Sequence, residues 1–307
     1  MPGARVKTNS RERITERTNP GSASLDTRSS REILRLINRE DQRVEPAVRK
    51  TLPQIARVVD LAAKAIRSGG RLVYLGAGSS GRMGVLDAAE CAPTFATDRV
   101  VAILAGAPAA YASSVEGVED DGQQGVRDLR RIKFTKRDVL VGISASGRAP
   151  YVLGAVGFAR RRGSSVVALT CDAKSPLAAL ADVSICPVVG PEVIAGSTRM
   201  KAATAQKLVL NMLSTATMVR LGRVLSGSMI NVQPTNQKLW KRAEGIMMQL
   251  TGVTQPAAAR ALNDAGRSLP VAVLMVLKKI PRSEAARLLR EGQSAAAALR
   301  EAMEERQ

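Results

Sequence analysis

Histidine is absent from all 307 residues. This removes Ser-His-Asp and Cys-His nucleophile systems and most zinc sites. Acid–base chemistry must then rest on carboxylates, lysine, tyrosine or cysteine. Cysteine is scarce. Cys91, Cys171 and Cys186 are odd in number and widely spaced, a pattern of reduced thiols in a cytoplasmic protein rather than of a disulfide framework. Aromatic residues make up 2% of the chain, too few for the stacking platforms that bind single-stranded nucleic acid. No apolar run approaches the roughly 18 residues of a membrane span. The first twenty residues, MPGARVKTNSRERITERTNP, lack the apolar centre of a signal peptide.

Positive charge, by contrast, is abundant. Lysine and arginine total 46 against 27 acidic residues, a formal charge of +19. The excess is dispersed: residues 1–50 hold 12 basic and 7 acidic side chains, and no long basic run follows. No helix-turn-helix or RNA-binding motif stands out. The expectation is a basic surface that attracts anionic substrates, with neither nucleic acid nor membrane as partner.

Residues 1–24 are polar and read as a mobile N-terminal segment. Residues 30–38 read as a helix. Val44, Val48, Leu52, Ile55, Val59, Ala62 and Ile66 keep three-to-four spacing and predict one longer helix, ended by Ser-Gly-Gly at 68–70. Strands and helices then alternate. RLVYLG (71–76), VVAILAG (100–106), DVLVGIS (138–144), SVVALT (165–170) and VSICPVV (183–189) read as strands. Helices are expected after the first glycine loop, through about 114, from about 150 to 162 and from about 199 to 222. The alternation predicts an α/β fold, an open and mostly parallel sheet with helices on both faces. From about 241 only helical segments remain, separated by Gly, Pro, Ser or Thr. The expected organisation is therefore a sheet domain over 25–240 and a small helical domain over 241–307.

Two turns draw attention. In RLVYLGAGSSGRMG, Gly76, Gly78 and Gly81 spell the dinucleotide fingerprint, yet the second strand ends ILAGAPAA with no acid for ribose hydroxyls. In VLVGISASGRAP a second strand runs into a Ser/Gly turn. Ser144 and Ser146 mirror Ser79 and Ser80, Gly147 mirrors Gly81, and Arg148 mirrors Arg82. Serine hydroxyls donate to phosphate without bulk, glycine lets the backbone approach, and helix N-termini favour anions. The pair points to a sugar-phosphate site at the carboxyl ends of the strands. In GPEVIAGSTRMK, Ser197 and Thr198 fit N-caps of the following helix, whose N-terminus could equally face a ligand. Glu90 in LDAAEC has an apolar neighbourhood, and burial there would raise its pKa toward that of a general acid. Glu116, Glu119, Asp120 and Asp121 form an acidic cluster that, by itself, reads as a solvated helix end.

Together TERTNP, GAGSSGRMGVLDAAECAPTF, VEGVEDD, GISASGRAPY, GPEVIAGSTRMKAATAQKLVLNMLST and TNQKL closely resemble the bacterial N-acetylmuramic acid 6-phosphate etherases of the sugar isomerase (SIS) superfamily. The match runs in order from about Thr15 to the C-terminus. It implies an SIS-type three-layer α/β sandwich, a helical C-terminal region and a homodimer with shared active sites. It also implies elimination of D-lactate from carbon 3 of the sugar, followed by hydration, with neither metal nor cofactor. By this resemblance Glu90 protonates the departing lactate and later activates water, and Glu119 removes the proton on carbon 2. Ser79, Ser80, Gly81, Arg82, Ser144, Ser146, Gly147, Arg148 and Ser197 then form the substrate site.

The chain departs from the family pattern at Ser79, Ala89, Ala92, Ala149, Ala203 and Ala216, and none of these removes either glutamate. A non-catalytic sugar-phosphate sensor and a phosphosugar isomerase share the architecture. Lactate release separates both from an etherase. The carboxylate chemistry implied here should survive a metal chelator. Activity that is lost in chelator and restored by a divalent cation would overturn it.

Overall fold

The computed structural model describes residues 14–292 and 294–305. Five strands, Leu72–Gly76 (β1), Val100–Leu104 (β2), Val139–Ile143 (β3), Ser165–Leu169 (β4) and Val183–Ile185 (β5), form one sheet in the order β2-β1-β3-β4-β5. β1, β3, β4 and β5 pair in parallel. Every residue of β1 and β3 is buried, so these strands read as continuous apolar runs rather than alternating ones. The register sets Gly76 opposite Ile143 and Ile143 opposite Leu169. The turns that follow β1 and β3 therefore begin at one level. Because β2 and β3 lie on opposite sides of β1, the strand order reverses there, and open α/β sheets bind ligands at such a point.

The chain divides into two compact units, Met1–Ala88 with Val101–Leu213, and Ala89–Val100 with Ser214–Gln307. The boundary expected at 240 falls inside helix Gln237–Thr251 (α9), whereas the division lies inside helix Lys201–Arg220 (α8). The second unit also takes the end of helix Gly78–Phe95 (α4). A continuous helix carries no marker in sequence where its packing partners change.

Within the first unit the core gathers Val73, Leu75, Leu140, Tyr151, Val152, Val156 and Val166. Helices Gly122–Arg131 (α5) and Pro150–Arg161 (α6) pack backbone to backbone. A Cβ on Gly125 would stand 2.2 Å from the Tyr151 carbonyl oxygen, and one on Gly154 2.2 Å from that of Gly122. The Tyr151 hydroxyl donates to Asp128 Oδ2 at 2.7 Å, tying the same two helices.

Helix Ser30–Asp41 (α1) covers the expected 30–38. The single helix expected from 44 is two, Val44–Arg49 (α2) and Leu52–Arg67 (α3). Pro53 sits in the first turn of α3, where its missing N–H costs nothing, and Thr51 Oγ1 donates to the Val48 carbonyl at 2.7 Å. After β2 the expected helix is only a short 3₁₀ turn, Ala109–Tyr111. Gly106 at φ +75 and Pro108 interrupt the alanine-rich run.

In the second unit α9 packs against Gln255–Asp264 (α10) and Leu269–Lys278 (α11), and α11 in turn packs against Arg282–Glu291 (α12) and Ala295–Glu304 (α13). Met247, Leu262, Leu269, Val273, Leu274 and Leu299 form its interior.

An ion pair lies buried in the first unit. Lys201 Nζ stands 2.6 Å from Glu40 Oε2, with side chains 1% and 4% exposed, and it also donates to the Pro191 carbonyl at 2.7 Å. Burial pushes the Glu40 carboxyl up, but hydrogen bonds from Lys201 and Asn19 outweigh it and hold the pKa below 4.5. Glu40→Gln strands the ammonium and should cost about 3–5 kcal/mol, read by urea denaturation at neutral pH. A carboxyl with a lowered folded pKa stabilises above its unfolded value and loses that stabilisation as pH falls through the folded one. The gap between wild type and variant should therefore narrow below the unfolded value of 4.5. A constant gap would refute the assignment.

Candidate active site

A cavity of about 410 Å³ opens at the carboxyl ends of β1 and β3. Its β1 wall is Ala77 followed by Gly78, Ser79 and Ser80 of the first turn of α4. The first intrahelical bond runs from Gly81 N to the Ala77 carbonyl at 3.1 Å. The amides of Gly78, Ser79 and Ser80 thus precede the helical ladder and form its open N-terminus. The glycines have steric reasons. Gly78 has φ +52. A Cβ on Gly81 would stand 2.5 Å from the Gly76 carbonyl oxygen, and one on Gly76 2.8 Å from Gly81 N. The fingerprint here packs a helix start against a strand end. Gly81 lies behind the cavity wall. Arg82 turns to donate to the carbonyls of Ala110 at 2.9 Å and Ser113 at 2.5 Å, bracing the chain that leads to the acidic cluster.

The β3 wall is Ile143, Ser144, Ala145, Ser146, Arg148, Ala149 and Pro150. Ser144 Oγ accepts from Gly147 N at 3.1 Å, and Ser146 Oγ accepts from Arg148 N at 3.3 Å. Arg148 reaches Asp172 at 3.6 Å, while its buried Nε has no hydrogen-bond partner. The two turns are not equivalent. Pro150 has no N–H, and Tyr151 N donates to the Glu119 carbonyl at 2.9 Å. The start of α6 is therefore closed to an anion and instead grips the acidic segment.

That grip brings Glu119 and Asp120 to the cavity wall. Asp121 accepts from Gln124 N at 2.9 Å and caps α5. Glu116 is exposed and does not line the cavity. Glu90 is exposed in the chain rather than buried among apolar groups, because Cys91 takes the inward position beside it. It lies in the part of α4 that belongs to the second unit. There, Pro93 inside the helix removes the amide that would bond the Ala89 carbonyl. Arg223 Nη1 donates to the carbonyls of Phe95 and Ala96 at 3.1 and 3.2 Å, capping the helix end.

The third motif behaves differently from expectation. The side chains of Ser197 and Thr198 do not cap α8. Glu192 does, accepting from Lys201 N at 3.1 Å and Ala202 N at 2.9 Å. Its burial raises its pKa, with those amides opposing. This end of α8 already holds a carboxylate and is closed to a ligand. Ser197 stays off the cavity, while Thr198 and Gly196 line it.

Thr15, Glu16, Asp120 and Thr198 line the cavity but were not assigned to the substrate site from the sequence, where Asp120 stood only in the acidic cluster and Thr198 only as an N-cap. Part of the segment expected to be mobile is bonded into the first unit; its residues 1–13 lie outside the described residues. Gly196 N donates to the Thr15 carbonyl at 2.9 Å, Asn19 Nδ2 to that of Pro191 at 3.2 Å, and Ser22 Oγ to that of Val193 at 2.6 Å. The motif TERTNP was the only available signal, and nothing in its composition says where it docks.

A parallel α/β sheet with serine turns at its switch point is the setting of an SIS domain, and the family models assign the chain to that class. A model described as the glucokinase regulatory protein N-terminal SIS domain matches residues 54–160, and one described as the SIS domain matches 126–216. The chain is 51% identical to the N-acetylmuramic acid 6-phosphate etherase of Klebsiella aerogenes, over 90% of this chain and 93% of that protein. Identity is 46% to the protein of that name in Photorhabdus laumondii, over 93% and 96% of the two chains. For Aeromonas hydrophila the figures are 49% over 89% and 92%. The chain belongs to the N-acetylmuramic acid 6-phosphate etherase family.

Gly147 has φ +63, and a Cβ there would stand 2.3 Å from Ser175 Oγ and 2.9 Å from Thr170 Oγ1. Gly147→Ala should displace Ser146 and raise the KM for a sugar phosphate roughly tenfold or more, consistent with the loss of a charge-assisted hydrogen bond. Circular dichroism should stay native. An unchanged KM would take the β3 turn out of the candidate site.

Proposed function

We propose that this chain cleaves the D-lactyl ether of N-acetylmuramic acid 6-phosphate, giving N-acetylglucosamine 6-phosphate and D-lactate. The observation behind this reading is one cavity in which an open helix start and serine hydroxyls stand with Glu119. Such a cavity can hold a phosphate and present a base to the sugar attached to it, in a chain half identical to etherases.

In this reading the amides and hydroxyls of Ser79 and Ser80, the hydroxyls of Ser144 and Ser146, and the Arg148 guanidinium hold the 6-phosphate. Gly81, Arg82 and Gly147 shape the turns. Ring opening exposes the carbon 1 aldehyde and acidifies the carbon 2 proton. Glu119 takes that proton, and the electron pair forms the carbon 2–carbon 3 double bond as the carbon 3–oxygen bond breaks. Glu90 gives its proton to the departing lactate oxygen. It then takes a proton from water as the oxygen adds to carbon 3, while a proton returns to carbon 2. Each positioned group is worth roughly 10²–10⁴-fold. Exposure of Glu90 in the single chain fits a site completed in a homodimer, as expected from the resemblance. Three free cysteines fit a cytoplasmic setting.

Lactate release from purified protein is the direct test, and its absence would favour the sugar-phosphate sensor that the first family model brings to mind. The two glutamates separate in a second measurement. Glu119→Gln should abolish exchange of the carbon 2 proton with deuterated solvent. Glu90→Gln should lose lactate release more than that exchange. Wild-type exchange in Glu119→Gln would mean another base.

A further inference from the structure

Glu16, like Glu119 and Asp120, is a carboxylate on the wall of a cavity whose serine turns and open helix start suit an anion. Among the described residues it has no ion pair, and its carboxylate takes one long hydrogen bond, from Thr15 Oγ1 at 3.4 Å. A free carboxylate opposes a bound phosphate unless it faces hydrogen-bond donors on the rest of the ligand.

The structure also goes to some length to place it. Thr15 and Asn19, on either side of Glu16, are each 4% exposed, in a segment tied to residues 191–196 by three hydrogen bonds. Asn19 Oδ1 closes the following turn by accepting from Gly21 N at 2.8 Å. Gly196, held at φ +77, leaves the space that Glu16 fills, since a Cβ there would stand 3.1 Å from Glu16 Oε2. Buried anchors flanking an unpaired acid are the arrangement of a presented functional group.

We infer that Glu16 is a substrate-contacting carboxylate that accepts hydrogen bonds from the sugar's hydroxyl or amide N–H groups, and that residues 14–22 form a strap that delivers it. The inference rests on the sugar-phosphate reading of the cavity. It adds a polarity to the site. The start of α4 and the serine turns take the phosphate, and the strap takes the neutral, donor-rich part of the ligand.

The test uses the full chain with N-acetylmuramic acid 6-phosphate as substrate and inorganic phosphate as competitive probe. Glu16→Gln should raise the KM roughly tenfold or more, the range for losing a charged hydrogen-bond acceptor, while the inhibition constant of inorganic phosphate stays at the wild-type value. Gly196→Ala, which crowds the carboxylate without removing it, should raise the KM in the same direction and keeps the test open should the first variant fold poorly. Wild-type kcat/KM in a folded Glu16→Gln overturns the inference, and so does equal weakening of inorganic phosphate, which would mean a general distortion. Absence of lactate release in the wild type is a separate outcome. It strikes the parent reading, and the contact is then scored by direct binding of N-acetylglucosamine 6-phosphate against inorganic phosphate, with equal affinities in variant and wild type overturning it.

Discussion

Leu72–Gly76 runs parallel to Val139–Ile143 in a register that sets Gly76 opposite Ile143, and the geometry of the site follows from that pairing. Two parallel strands that end together launch their turns from one edge. Both turns can then line one cavity although more than sixty residues separate them in sequence. A slip of one residue would turn the inward side chains of β1 outward and lift one turn off the other. Because both strands are buried on both faces, polarity alone does not oppose that slip; side-chain shape does, since a Cβ on Gly142 would stand 2.8 Å from Val156 Cγ2 and 2.9 Å from Val152 Cγ1.

The turns look alike in sequence but perform different work. The first ends in an open helix start, because Gly81 is the first residue to close an intrahelical bond. The second precedes a helix whose start is already occupied, by Pro150 and by the Glu119 carbonyl. The same contact that closes this second helix to an anion fixes Glu119 at the wall. Glycine contacts between α5 and α6, together with the bond from Tyr151 to Asp128, hold the acidic segment to that position. The placement of one carboxylate thus depends on a helix pair that reaches the cavity only at Pro150, the first residue of α6.

Charge is distributed with similar economy. The chain carries a large basic excess, yet Arg148 is the one basic side chain on the wall of the described cavity. Dipolar donors, amides and hydroxyls, do not neutralise the nearby carboxylates as a ring of lysines would. Glu119, Asp120 and Glu16 stay available to a ligand. Arg82 and Lys201, both prominent in the motifs, serve structure. Arg82 holds carbonyls of the chain before the acidic cluster, and Lys201 is buried against Glu40.

Much of this protein was legible in its residues alone. Apolar runs marked the five strands, most plainly β1 and β3, because a strand buried on both faces must be apolar throughout. Motif resemblance pointed to the family. The doubled serine turn pointed to the strand ends where the cavity lies, since strand ends of an open sheet are where helix starts and ligands meet. The rest depended on contacts between residues far apart in sequence. Glu192 rather than Ser197 caps α8, because a carboxylate nine residues upstream folds back onto it. Glu90 lies exposed, because its helix turns Cys91 inward. The strap carrying Glu16 docks beside Gly196, about 180 residues later. Local pattern records a residue's own helix or strand. It holds no record of which distant backbone leaves room for a side chain, and that room, at Gly196 as at Gly154, exists only once the chain has folded.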